Sequence, residues 1–187
     1  MEETELGQEY IKCRVERATP TVDWELCWRL ARLSGLGPDN ISFLFKLLHQ
    51  ILPTQERVAR TRPGTNPNCK SHRCQNSEDT LEHALIICQS NDGVGLALLD
   101  FMRSIIPGLQ TESLLRLEIN VSEELELPLV FFISVVLSSV WNLRVSGSRV
   151  QMYLVRSQLE AKINLLRETR YFLSAAKLEE IASIMFV

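Results

Sequence analysis

The stretch LPLVFFISVVLSSVW, Leu127 to Trp141, is fifteen residues without a charge. Such a run must leave water on every side, in a protein core or in a bilayer. A spanning helix needs about 20 apolar residues, and this run is shorter. It therefore predicts a buried central helix over about 127–144, with Pro128 in its first turn. The 187 residues suffice for one sizeable core, and 45% hydrophobic against 23% charged residues is a globular balance, not a disordered one. The opening MEETELGQEY is acidic and polar, unlike a signal peptide. The expectation is an intracellular chain, in nucleus or cytoplasm, with no membrane role.

The remaining pattern is mainly α. Residues 1–20 read as a loosely ordered lead-in. A helix is expected from Thr21 to Gly35, with Trp24, Cys27, Trp28, Leu30 and Ala31 at helical spacing. A second spans about Asp39 to Gln50, with Phe43, Leu44, Leu47, Leu48 and Ile51 as its apolar stripe. Thr54 can cap a short third helix, Gln55 to Arg60. TRPGTNPN reads as a loop. Gly93 to Ile106 predicts another helix, and the weak alternation from Leu115 to Val121 within LLRLEINV a short strand or an extended connector. Val150 to Tyr171 is amphipathic, and Ala175 to Met185 closes the chain. The expected architecture is a helical domain carrying a small Cys/His zinc-knuckle-like insert. A helical zinc-binding region covers 21–108, and a C-terminal helical region, 109–187, packs on it.

The insert is CKSHRCQNSEDTLEHALIIC, residues 69 to 88, with three of the five cysteines and two of the three histidines. An odd cysteine count in a chain with no secretory signal points to thiols or metal ligands, not a disulfide framework. Cys69, Cys74, His83 and Cys88 make a Cys3His set suited to one Zn²⁺. The first pair is separated by four residues, where two is commonest. His72 stands at that commoner position, so Cys69, His72, His83 and Cys88 form a rival Cys2His2 set. Ser77 is the expected cap of a helix carrying His83. Cys88 lies one residue past the i+4 position, so that helix must end or loosen. The plainer alternative is a buried Cys88 thiol among unrelated neighbours.

Net charge is −3, which argues against a strongly basic nucleic-acid binder. Its distribution is uneven. Residues 41–75 hold Lys46, Arg57, Arg60, Arg62, Lys70 and Arg73 against Glu56 alone, and residues 142–170 are also basic, around an acidic middle. The first stretch is the candidate for weak, salt-dependent phosphate contact with RNA or DNA. The bland alternative is a set of solvated helix faces. The C-terminal helices are the candidate surface for a protein partner.

SFLFKLLHQILPTQERVAR, a loop, the cysteine cluster and EDTLEHALIIC together resemble the zinc-binding region that follows the reverse transcriptase in non-LTR retrotransposons. VWNLR and LEAKINLLRETRYF resemble the C-terminal tail of such elements. The resemblance covers about Trp24 to Asn91 and implies Cys69, Cys74, His83 and Cys88 as ligands. Its departure is the longer gap between Cys69 and Cys74. The chain carries no Tyr-x-Asp-Asp motif, and its acidic pairs, Glu2-Glu3, Glu123-Glu124 and Glu179-Glu180, read as solvated faces. The resemblance thus implies a non-catalytic module from the C-terminal part of a retroelement protein, with an inert remnant or a helical interaction module as the alternative.

Overall fold

The apolar run becomes the middle of the longest helix in a computed structural model that describes residues 38–74, 76–168 and 172–185. The lead-in and the helix expected from Thr21 to Gly35 lie outside the described residues. Helix α1 spans Pro38–Leu48, α2 Gln55–Thr61, α3 Val94–Ile105, α4 Thr111–Leu115, α5 Glu123–Val145, α6 Met152–Glu168 and α7 Phe172–Met185. Between α2 and α3 the described residues form short turns, a 3₁₀ turn at His72–Cys74, a π-helical turn at His83–Ile87 and a 3₁₀ turn at Gln89–Asn91.

Every residue from Leu129 to Trp141 is buried. Helices α1, α3, α6 and α7 all pack on α5, so an element apolar all round has a neighbour on each side. At 23 residues α5 has the length of a membrane span, contrary to the shorter estimate, but 82% of its most apolar window is inside the fold. Burial, rather than length, marks it as a core helix. Its serines are accommodated by local bonds. Ser134 Oγ donates to the Phe131 carbonyl (2.8 Å) and Ser138 Oγ to that of Val135 (3.1 Å). Pro128 falls in the second turn, not the first, because the helix starts at Glu123. Its missing N–H leaves the carbonyl of the exposed Glu124 without a helical donor, near an end that water can reach.

Helix α1 buries Phe43, Leu44, Leu47 and Leu48 at i, i+1, i+4, i+5 spacing. Ile51 does not continue this stripe. It is exposed, while Leu52 turns inward, because Gln50 adopts φ 53° and reverses the chain after α1. One continuous apolar core extends from Phe43 to Ile181, with the Phe101 and Phe132 rings packed 5.4 Å apart within it.

Of the two expectations for Leu115–Val121, a short strand or an extended connector, the structure has a connector and no strand. The described residues contain one isolated bridge, between Asn68 and Glu78, and no strand. The segment begins as the end of α4, and Leu117 takes φ 58°, which an extended strand does not allow. Leu115, Leu117 and Ile119 are buried even so. Their alternation records burial of an irregular connection, not a pleat.

Candidate metal centre

The first half of the centre is a tight clip. Cys69 N–H donates to the Ser77 carbonyl (2.8 Å) and Asp79 N–H to the Pro67 carbonyl (2.9 Å), so the chain returns alongside itself. The intervening residues fold as the 3₁₀ turn, with Cys74 N–H on the Ser71 carbonyl at 3.1 Å. That turn explains the four-residue gap. Residues 70 to 73 form the bend, and Cys69 and Cys74 both point inward, buried. His72 lies on the outside of the bend, exposed. The rival Cys2His2 set is therefore not assembled.

The second half is a loosened helix. It begins at Leu81, where Thr80 is the cap: its Oγ1 accepts from His83 N–H at 3.1 Å. Ser77, the expected cap, instead donates to the Cys74 carbonyl at 2.6 Å and closes the clip. Cys88 N–H reaches the His83 carbonyl at 2.8 Å, an i to i+5 bond. A five-residue step is the π-helical spacing, and it brings His83 and Cys88 to the same side. Gly95 makes room for this turn. A Cβ built there would stand 2.3 Å from the Leu85 carbonyl oxygen and 2.4 Å from Ile86 Cα, so α3 touches the π turn backbone to backbone.

The two halves converge. Cys69, Cys74, His83 and Cys88 are all buried, and their donor atoms lie within 4.8 Å of one another. Cys88 Sγ is 3.8 Å from Cys69 Sγ and 3.6 Å from Cys74 Sγ. None of the three cysteines is in a disulfide. His83 Nε2 is buried without a hydrogen-bond partner. Three sulfurs and an otherwise unsatisfied imidazole nitrogen, converging in a buried space, are the donor set of a metal ion. Burial lowers the pKa of His83 and so keeps its imidazole neutral, as a ligand must be. Burial pushes the Cys69 thiol up to about 11, against hydrogen bonds from Ser71 and Arg144. Cys88 moves the opposite way. Burial raises it, but the bonds from Ser90, Cys74 and Arg144 outweigh burial and hold it below the ordinary thiol value.

Sequence reasoning missed the surroundings of this set. Arg144, at the end of α5, donates to Cys88 Sγ (3.2 Å) and Cys69 Sγ (3.6 Å), and its guanidinium also pairs with the buried carboxylate of Asp79. The other Asp79 oxygen accepts from Gln55 N–H, at the start of α2, at 3.0 Å. A charged donor on two sulfurs stabilises their thiolates, as outer-shell partners of metal ligands do. In the sequence Arg144 is one cation of a basic stretch. Its signal is the abrupt end of the apolar run in Asn142-Leu143-Arg144, which leaves a charge one turn beyond Trp141.

The six basic candidates are all exposed, but no single cleft gathers them. Lys70 and Arg73 line a cleft beside the metal centre, with Arg144 and Arg149. Arg57 and Arg60 line a second cleft. Lys46 and Arg62 line neither. Arg57 also bonds the Gln50 carbonyl, and Arg60 pairs with Glu56 one turn away.

No family model, curated protein or solved structure matches the chain.

Proposed function

We propose that this chain is a non-catalytic zinc-binding module that contacts nucleic acid weakly and without sequence specificity. The observation that carries the metal is the sulfur spacing. Zn–S bonds of about 2.3 Å in a tetrahedron set an edge of about 3.8 Å, and the separations are 3.8 and 3.6 Å. Four protein ligands fill a tetrahedron and leave no open position for a water or substrate, which favours a structural ion over a catalytic one. Cys69, Cys74, His83 and Cys88 would hold one Zn²⁺, and His72 would not. With three thiolates the bound set carries one negative charge, and the Arg144 guanidinium lies against it.

The zinc ties the clip to the π turn, and Arg144 ties both to α5. Exposed cations of residues 46–73 are thereby held on an ordered surface. The resemblance to the zinc-binding region behind retroelement reverse transcriptases supports nucleic acid as the partner, and the absence of a polymerase motif from this sequence supports a holding role. Phosphate contacts position a strand and read no bases. Binding of the zinc-loaded chain to single-stranded RNA should therefore fall steeply as salt rises and vary little between sequences. Salt-independent absence of binding would move the reading to a helical interaction module. That alternative rests on the exposed side of α6, where Tyr153 and Leu165 stand in solvent, because the apolar run of α5 is already buried.

A further inference from the structure

The two clefts differ in charge, and the difference selects between them. The second cleft sets Arg57, Arg60 and Arg116 against Glu56, Glu78, Glu82 and Glu112. Two of its arginines are neutralised within one helical turn, Arg60 by Glu56 and Arg116 by Glu112. A polyanion approaching it meets more carboxylates than cations. The cleft beside the metal centre has Lys70, Arg73, Arg144 and Arg149 on its walls, and Asp79 as its acid, which Arg144 already pairs. Among the described residues Lys70 and Arg73 have no ion pair, and Arg149 has a loose one, 4.0 Å from Asp92 with both side chains largely in solvent. Such a surface pair contributes little and yields readily to a phosphate. Ser71 and Ser148 add hydroxyl donors to the same walls.

We infer that the cleft between the metal-clipped turn and the α5–α6 connection is the phosphate-binding site of this protein, with Lys70 and Arg73 on one wall and Arg149 on the other. The inference rests on the nucleic-acid part of the proposed function and moves its centre away from α2. The ligand class is a phosphodiester strand: three cations lining one cleft of about 600 Å³ can neutralise backbone phosphates, which position a strand without reading its bases. The site is composite. Lys70 and Arg73 lie between two metal ligands, and Arg149 follows α5 in a separate part of the chain. Arg144, bonded to Cys69 and Cys88, holds the two walls at their present distance.

The test uses the full zinc-loaded chain and a short labelled single-stranded RNA of mixed sequence, titrated across a salt series. Arg149→Glu, far in sequence from the ligands, should weaken binding by roughly tenfold and flatten the logarithmic salt slope by about 0.7 for each phosphate no longer neutralised. Arg149→Lys should bind like the wild type. The pair Arg57→Glu and Arg60→Glu should change affinity by no more than about twofold, since the second cleft carries no net attraction for phosphate. Zinc content is measured for each variant and should stay at the wild-type value. Unchanged binding by Arg149→Glu, or a larger loss in the α2 double variant, would overturn the site while leaving nucleic-acid binding intact. Equal losses in Arg149→Glu and Arg149→Lys would overturn it too, by showing a packing role. A wild-type chain that binds no RNA at any salt would remove the nucleic-acid role on which the site rests.

Discussion

Helix α5 and the segment from Pro67 to Asp92 lie side by side and are held by different physics. In α5 every side chain from Leu129 to Trp141 is out of water, and stability comes from apolar area and close packing. The clip places Cys69, Cys74 and Cys88 in a small buried cluster of their own, separate from the main core. Around them it relies on single backbone bonds, the hydroxyls of Ser71, Ser77, Thr80 and Ser90 and the metal donors, while Ala84, Leu85 and Ile86 of the π turn join the main core. Apolar burial has no direction, so α5 could form around many neighbours. Metal ligation is directional, and the clip needs a 3₁₀ turn, a π turn and a close glycine approach to place four atoms. The regions meet at Arg144 and where the π turn packs on α5, and Gly95 of α3 presses on that same turn, so changes at Arg144 and Gly95 should cross from one to the other.

The largest effect belongs to the core. Phe132 is fully buried against Phe101, and Phe132→Ala should cost about 3–5 kcal/mol of unfolding free energy. The denaturation midpoint should fall equally with and without a chelator. A loss seen only in the metal-free chain would mean that the two regions are not independent in this way.

Arg144→Ala should affect both regions. It leaves the buried Asp79 carboxylate without its partner, and breaking a pair of this kind typically costs about 3 kcal/mol or more. It also removes N–H donors from two sulfurs, and loss of an outer-shell partner typically weakens a metal site by about 10- to 100-fold. Competition against a calibrated chelator measures the second effect. Wild-type metal affinity in this variant would refute the outer-shell role.

Gly95→Ala should be milder, about 1–3 kcal/mol, as α3 and the π turn are pushed apart. Amide exchange at residues 83–88 should speed up more than exchange within α5. Uniform acceleration would show that the strain spreads through the core instead.

Acid should act on the clip through His83, as it does after α1 through His49, whose pKa burial also lowers. With its pKa lowered by burial, His83 is protonated first in the unfolded chain. The metal-free clip therefore keeps the full His83 contribution above about pH 6.5 and loses it as the pH falls below that value. Protons also compete with the metal for its ligands, so release follows the same direction. Thermal midpoints of the metal-free chain at pH 7.5 and 5.5 should differ, and His83→Asn should narrow the difference.

Much of this is legible in the sequence. The α5 run, the stripe of α1 and the Thr54 cap, which accepts from Arg57 N–H at 3.3 Å, are local patterns with local causes. The ligand types at Cys69, His83 and Cys88 are plain, and the extra residue between His83 and Cys88 indicates a loosened helix. Spacing alone does not separate Cys74 from His72, because the choice depends on which way a bend faces. The partners Arg144 and Asp79 are 65 residues apart in the chain, and the close approach at Gly95 arises only once α3 is packed. Pairing of that kind comes from the assembled core, not from any window of sequence. The basic residues mislead for a related reason. Near neighbours in the chain are divided between two clefts, and Arg149, far from them in sequence, joins Lys70 and Arg73.

The central claim is that one metal ion joins Cys69, Cys74, His83 and Cys88. Elemental analysis of the chain purified after growth with zinc, alongside Cys88→Ala and His72→Ala, tests it directly. The account predicts one zinc per chain in the wild type and in His72→Ala, and none in Cys88→Ala. A wild-type chain without zinc, or a Cys88→Ala chain that keeps it, would contradict the account.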